Sequence, residues 1–188
     1  MKIGIICPSE IAYRRFMPAL QQVEDLKFAG IGVFNFKERF DSKPVPESEF
    51  QIYHDAEIKK ANAFIEQYGG KIYEGYEAIA SASDIDALYI PLPPALHYRW
   101  ARRALECGKN VLVEKPATIS EKETKKLIEL AESKGLAIHE NYMFIFHKQL
   151  DTIDEIIKSG EIGDIRLYRI SFGFPRRAAN DFRYNRAL

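Results

Sequence analysis

The run Val111-Leu112-Val113-Glu114-Lys115-Pro116 decides the fold. Its apolar half, bounded by an ionisable pair and a proline, reads as a strand of a parallel sheet buried on both faces. In an open α/β sheet the ligand crevice lies beyond the carboxyl ends of the strands, which puts Lys115 at its mouth. Pro116 cannot extend a ladder and pushes the residue before it toward extended geometry, so Lys115 leaves the strand on a stiff backbone. The alternative is a charged pair opening a solvated loop, and the flanking sequence has to decide between the two.

Outward from this run, strands and helices alternate. Residues 109–113 form the strand itself, and residues 120–134 a helix whose Ser120 and Glu123 have capping-box spacing. Residues 136–139 supply a further strand. Upstream, residues 85–92 are a strand broken by Pro91-Leu92-Pro93-Pro94, which aims a helix beginning near residue 95 and running to Cys107, with Gly108 at the stop. His97 falls in its first turn, where a histidine is more often a structural cap than a catalyst. Earlier still come a helix over 57–68 ended by Gly69-Gly70, a strand at 71–73 and a helix over 76–82. Such alternation makes a doubly wound parallel sheet, a Rossmann-type α/β domain over residues 1–140.

The chain opens with a strand at 3–7, a helix over 11–22 and a strand at 28–34, the βαβ unit where a dinucleotide turn belongs. Such a turn wants G-x-G-x-x-G or A; the three places hold Cys7, Ser9 and Ala12, and only the third fits. Pro8 removes an amide that would face phosphate. Ser9 is still suited to cap the helix and, with Glu10, Ile11 and Ala12, to border an anion. The second strand should end on an acid for ribose hydroxyls or a base for a 2′-phosphate. It ends Val33-Phe34-Asn35, with Lys37 and Arg39 close behind. Asn35 suits a ribose and the two cations a phosphate, a slight lean to NADP, although a solvated loop accounts for the same residues. Residues 36–55, with Pro44 and Pro46, read as an irregular surface insertion anchored by Phe40, Phe50 and Tyr53.

Beyond residue 140 the pattern changes: an amphipathic helix over 146–158, a turn at 160–163, then alternation over 165–172 that reads as a strand of another sheet. One strand cannot stand as a sheet. The expectation is that residues 141–188 open a second α+β domain, completed by further chain or by another chain. Tyr142, Arg176, Arg177, Asn180 and Arg183 are its visible substrate candidates; Arg176 and Arg177 have the forks to clamp a pyrophosphate, but such a pair also suits a surface turn.

The 188 residues are 46% hydrophobic and 29% charged, with 27 basic against 27 acidic side chains, so there is no electrostatic footprint for nucleic acid or an anionic membrane. Cys7 and Cys107 lack metal-ligand or CxxC spacing, no run is long enough to span a bilayer, and no signal peptide is visible. A cytoplasmic protein with reduced thiols and no metal site is expected.

Taken together, Tyr89-Ile90-Pro91-Leu92-Pro93-Pro94-Ala95-Leu96-His97 and Gly108-Lys109-Asn110-Val111-Leu112-Val113-Glu114-Lys115-Pro116 resemble the Gfo/Idh/MocA family of NAD(P)-dependent oxidoreductases, and within it the sugar-nucleotide ketoreductases. Glu140-Asn141-Tyr142-Met143, Phe146-His147, Gly160-Glu161-Ile162-Gly163 and Asp181-Phe182-Arg183-Tyr184 look like the opening of that family's second domain. The resemblance implies hydride transfer between NAD(P)(H) and a sugar or sugar-nucleotide carbonyl or hydroxyl. It places Lys115 beside nicotinamide and substrate as the proton or hydrogen-bond donor, Glu114 as the group holding lysine and cofactor amide, and Leu92, Pro93 and His97 around the nicotinamide. It also implies a homo-oligomer. Cys7, Ser9, Val33, Phe34 and Pro94 depart from the family's usual residue types, and its second catalytic segment, a glycine-rich run leading to an aspartate and a histidine, would begin after Leu188. Two readings therefore stand: a sugar-directed oxidoreductase, or a non-catalytic Rossmann scaffold for binding or assembly whose cofactor site has decayed.

Overall fold

Apolar side chains on both parities of the central strands require cover on both faces, and the computed structural model, which describes residues 1–40, 46–173, 175–176 and 184, has it. Strands β1 (Lys2–Ile6), β2 (Lys27–Val33), β3 (Lys71–Glu74), β4 (Ala87–Ile90), β5 (Asn110–Glu114) and β6 (Ile138–Asn141) form one sheet, in the order β3-β2-β1-β4-β5-β6. Every pairing is parallel. The order reverses between β1 and β4, the switch point at which such sheets open a ligand crevice.

On one face, Ile3, Ile5, Ile31, Val33, Ala87 and Tyr89 pack against Ala12, Met17 and Leu20, and against Ala61 and Phe64. The first three come from a π-helical turn (Ala12–Phe16) running into α1 (Met17–Leu20), the last two from α3 (Glu47–Tyr68). On the other, Leu88, Ile90, Val111 and Val113 meet α4 (Tyr76–Ser81), α5 (Pro94–Glu106) and α6 (Glu121–Lys134) through Ile79, Trp100, Ala104, Leu105 and Leu127. Lys109 is buried for a structural reason: its Nζ donates to the carbonyls of Ala82 (2.7 Å) and Ile85 (2.8 Å), tying the end of α4 to the approach to β4.

Three local expectations change. The described part of residues 36–55 is largely helical: α2 spans Phe36–Phe40 and α3 begins at Glu47, while residues 41–45 lie outside the described residues. Pro46 sits at the N-cap of α3, where a missing amide costs nothing, and Glu47 and Glu49 favour the positive helix end. Asn35 and Glu38 make a reciprocal box at the start of α2, each side chain accepting the other's amide at 3.0 Å. The capping box at α6 is only half made: Ser120 Oγ accepts the Glu123 amide at 3.3 Å, but the Ser120 amide goes to Thr118 Oγ1. Residues 165–172 form no strand. Leu167, Tyr168, Ile170 and Phe172 are all exposed, so the alternation in sequence has no sheet to express it.

The chain divides into two compact units, Met1–Asn141 and Tyr142–Ala187. In the second, a 3₁₀ turn (Met143–Phe146) precedes α7 (Gln149–Ser159), which stops at Gly160 in the left-handed conformation. No helix among the described residues is long and apolar enough to cross a membrane.

The register of β1 on β2 skips Ala29, a bulge that brings Gly30 under β3. A Cβ on Gly30 would lie 2.3 Å from the Lys71 carbonyl oxygen and 2.7 Å from the Tyr73 ring. Gly30→Ala should therefore cost about 1–3 kcal/mol or more in urea unfolding, because backbone as well as a side chain must yield.

Candidate active site at the strand ends

The first turn after β1 keeps the shape of a dinucleotide turn although it has lost the glycines. Cys7, at the first glycine place, has φ +78°, a left-handed conformation that costs an L-residue about 1–2 kcal/mol. The backbone thus still asks for glycine there. Ala12, at the third place, is fully buried against the sheet. Ser9 Oγ accepts the Ala12 amide at 3.2 Å, so Ser9 caps the helix, while its own amide folds back onto the Cys7 carbonyl at 2.9 Å. Glu10 and Ile11 are exposed, with Glu10 paired to Arg14 one turn on. The first amides of a helix have no acceptor within it, so this end is suited to an anion such as a pyrophosphate.

The end of β2 is organised by acids that sequence reading passed over. Glu38 accepts the amides of Asn35 (3.0 Å), Tyr76 (2.8 Å) and Glu77 (2.8 Å). Glu57, buried on α3, accepts the Phe34 amide at 3.2 Å and the Tyr76 hydroxyl at 2.9 Å. Asn35 therefore has its Oδ1 committed to a cap. Lys37 is exposed on α2, and the side chain of Arg39 lies outside the described residues. The signals were present: Asn35-x-x-Glu38 has capping-box spacing, and Phe50, His54, Glu57, Ala61 and Phe64 follow a helical period. Both were obscured by reading Pro44 and Pro46 as breakers of one loop.

Burial, and then the carboxylate of Glu57, push the Cys7 thiol from 9.0 up to about 12. Tyr76 is raised well above its usual value by burial, then by Cys7 and Glu57.

At the ends of β4 and β5 the candidates converge. His97 is fully buried, its Nδ1 2.8 Å from the Pro116 carbonyl oxygen and its Nε2 2.6 Å from that of Leu92. A neutral ring donates to one of these carbonyls and a doubly protonated ring to both. The ring thereby bridges the loop after β4 to the loop carrying Lys115. Pro93 sits between as the N-cap of α5. One residue further along the same loop, Glu140 Oε1 accepts the Ala117 amide at 2.8 Å. Lys115 is thus exposed between the end of β5 and a loop anchored at Pro116 and Ala117, and its bond to Pro116 is cis. Glu114, the residue before it, is buried and its Oε1 accepts the hydroxyl of Tyr89 at 2.6 Å and the amide of Asn141 at 2.7 Å. Tyr89 and Asn141 had not been singled out as site residues; only the spatial register of β4, β5 and β6 joins them to Glu114. Tyr142 and Arg176 belong to the second unit, where both are exposed, and Arg177, Asn180 and Arg183 lie outside the described residues.

A switch-point crevice bordered by a left-handed turn, a helix start and a braced Glu-Lys pair defines a dinucleotide-binding domain of Rossmann type. Residues 3–142 match the model of the Gfo/Idh/MocA family, described as an oxidoreductase family with an NAD-binding Rossmann fold, and the chain belongs to that family. It is 37% identical over 188 residues to a dTDP-3,4-didehydro-2,6-dideoxy-alpha-D-glucose 3-reductase of Streptomyces violaceoruber, covering 100% of this chain and 48% of that protein. The enzyme of the same name from Actinomadura kijaniata is 34% identical over 184 residues, with 98% and 49% covered. A crystal structure of KijD10, a 3-ketoreductase from Actinomadura kijaniata in complex with NADP and TDP-benzene, superposes with a TM-score of 0.72 at 34% identity, over 88% of this chain and 44% of that one. The chain spans about half the length of the curated relatives it matches.

The raised thiol makes Cys7 inert. At pH 8 iodoacetamide should leave Cys7 in the folded chain unmodified, roughly a hundredfold or more slower than in urea, as read by peptide mass spectrometry. Because its folded value exceeds its unfolded one, Cys7 contributes stability that is complete below about pH 9 and is lost as pH rises toward about 12. Cys7→Ser should flatten that alkaline decline in urea midpoints.

Proposed function

We propose that the chain is the cofactor-binding part of an NADP(H)-dependent reductase acting on the ketone of a nucleotide-linked sugar, with residues 142–188 opening its substrate domain. The observation that carries this reading is the convergence of Lys115, Glu114 and His97 at the ends of β4 and β5, beside the turn after β1. A bound nicotinamide supplies the hydride. A ketone accepting it gains negative charge on oxygen, and an ammonium held at a fixed place stabilises that charge more in the transition state than in the ground state. Lys115 is that ammonium, giving a hydrogen bond or proton to the carbonyl oxygen; Glu114 orients the lysine and the cofactor amide.

Preference for the 2′-phosphorylated cofactor is supported by the charges after β2. An acid free to bind ribose hydroxyls would repel a 2′-phosphate. Here Glu38 is turned onto three backbone amides, while Lys37 is exposed on the same short helix. The relatives named as dTDP-sugar 3-reductases, and KijD10 crystallised with NADP and TDP-benzene, support the same cofactor and substrate class.

Fluorescence titration of the chain with NADPH and NADH tests the cofactor reading: micromolar binding with NADPH preferred at least tenfold is expected, and Lys37→Glu should erase the preference. Failure of a folded chain to bind either would favour the decayed scaffold, which the side chain at Cys7 and the inward amide of Ser9 would explain. In protein that turns over a dTDP-linked ketosugar, Lys115→Met should lower kcat about 10²- to 10⁴-fold and leave the NADPH Kd within a few-fold.

A further inference from the structure

A carboxylate out of water needs its lone pairs filled. The two donors that fill Glu114 Oε1 arrive from separate strands. Tyr89 comes from β4 and Asn141 from β6, on either side of β5, and both reach the same oxygen. Tyr89 is 1% exposed, and its ring lies stacked on Phe16 at 4.1 Å between centroids and 19° between planes. Phe16 ends the π-helical turn that follows the dinucleotide loop. One line of contacts therefore runs across the crevice side of the sheet from that loop's helix, through Tyr89, to the carboxylate beside Lys115. Burial and then Glu114 raise Tyr89 far above its usual titration, so the phenol stays a donor at any physiological pH.

Packing alone does not require this arrangement. Phenylalanine at position 89 would stack on Phe16 as well, and the two neutral donors add no charge to balance Glu114. What they add is direction: with Oε1 engaged twice at 2.6 and 2.7 Å, the carboxylate cannot rotate without breaking both bonds. Among the described residues these two bonds both fall on Oε1, which leaves the second oxygen to a donor brought by a ligand.

We propose that Tyr89 and Asn141 are positioning residues for the nicotinamide end of the cofactor site, orienting Glu114 so that its second carboxylate oxygen accepts a hydrogen bond from a primary carboxamide. This rests on the cofactor reading above. The pair acts through Glu114 on the carboxamide half of the dinucleotide and leaves the adenosine half alone.

That division gives the test. The unmodified chain, Tyr89→Phe and Asn141→Ala are titrated with NADPH and with adenosine 2′,5′-bisphosphate, which carries the adenosine end without nicotinamide. Bound NADPH emission is recorded as well. Each variant should bind NADPH roughly tenfold more weakly, the loss of one hydrogen bond to an ionised group, while its affinity for the bisphosphate stays within twofold. The emission of bound NADPH should move toward that of the free dinucleotide. Asn141→Ala, at the sheet edge, keeps the test standing if the buried substitution prevents folding. Unchanged NADPH binding and emission in both variants overturns the proposal, and so does an equal loss for both ligands, which marks a merely structural role. If the unmodified chain binds the bisphosphate but holds NADPH no more tightly, the positioning proposal fails and the cofactor reading survives. If it binds neither, both fail.

Discussion

A parallel sheet covered on both faces has no place for polar side chains except at its strand ends, and everything in the first unit follows from that constraint. Along β1, β4 and β5 the inward positions are filled by Ile5, Ile6, Leu88, Ile90, Val111 and Val113. Where the strands stop, polar groups appear together: Glu114, the Tyr89 hydroxyl, Asn141, His97 and Lys115. Their crowding is the consequence of exclusion from the sheet, and it turns a packing rule into a polar edge. A charge there is tolerated only when it is held by hydrogen bonds or faces water. Glu114 meets the first condition through Tyr89 and Asn141, and Lys115 meets the second by exposure.

The same rule explains how the cofactor turn survives without its glycines. The backbone at Cys7 remains left-handed because β1, the turn and the helix carrying Ala12 are set by packing, and one strained residue costs less than moving them. Nearby, Glu38 and Glu57 spend their negative charge on backbone amides and a phenol, which braces the segment after β2. Glu38 and Glu57 thus serve the fold, and Lys37 stands exposed on the same short helix as Glu38.

Glu-Lys-Pro, the proline-broken end of β4 and the alternation of apolar runs were legible because they depend on local chemistry. A strand buried on both faces must be apolar throughout, a proline must end a ladder, and a helix must repeat every three or four residues. Those facts carried the α/β class, the βαβ opening unit and the place of Lys115. The helices α2 and α3 were missed where two prolines masked a helical period, and the strand expected over 165–172 failed because a strand is made by its neighbours and not by its own pattern.

What the amino-acid sequence determined by itself, then, was a Rossmann-type sheet with a lysine at the end of its fifth strand. Only the tertiary structure decided which groups gather on the carboxylate beside that lysine. Tyr89, Glu114 and Asn141 are 25 and 27 residues apart in pairs, and no local periodicity relates them. Parallel register brings them to one carboxylate, just as it brings Leu92 and Pro116 to the two nitrogens of His97. The reason is physical: local sequence sets which dihedrals and which faces are favourable, whereas a hydrogen bond between strands exists only once the sheet has aligned them.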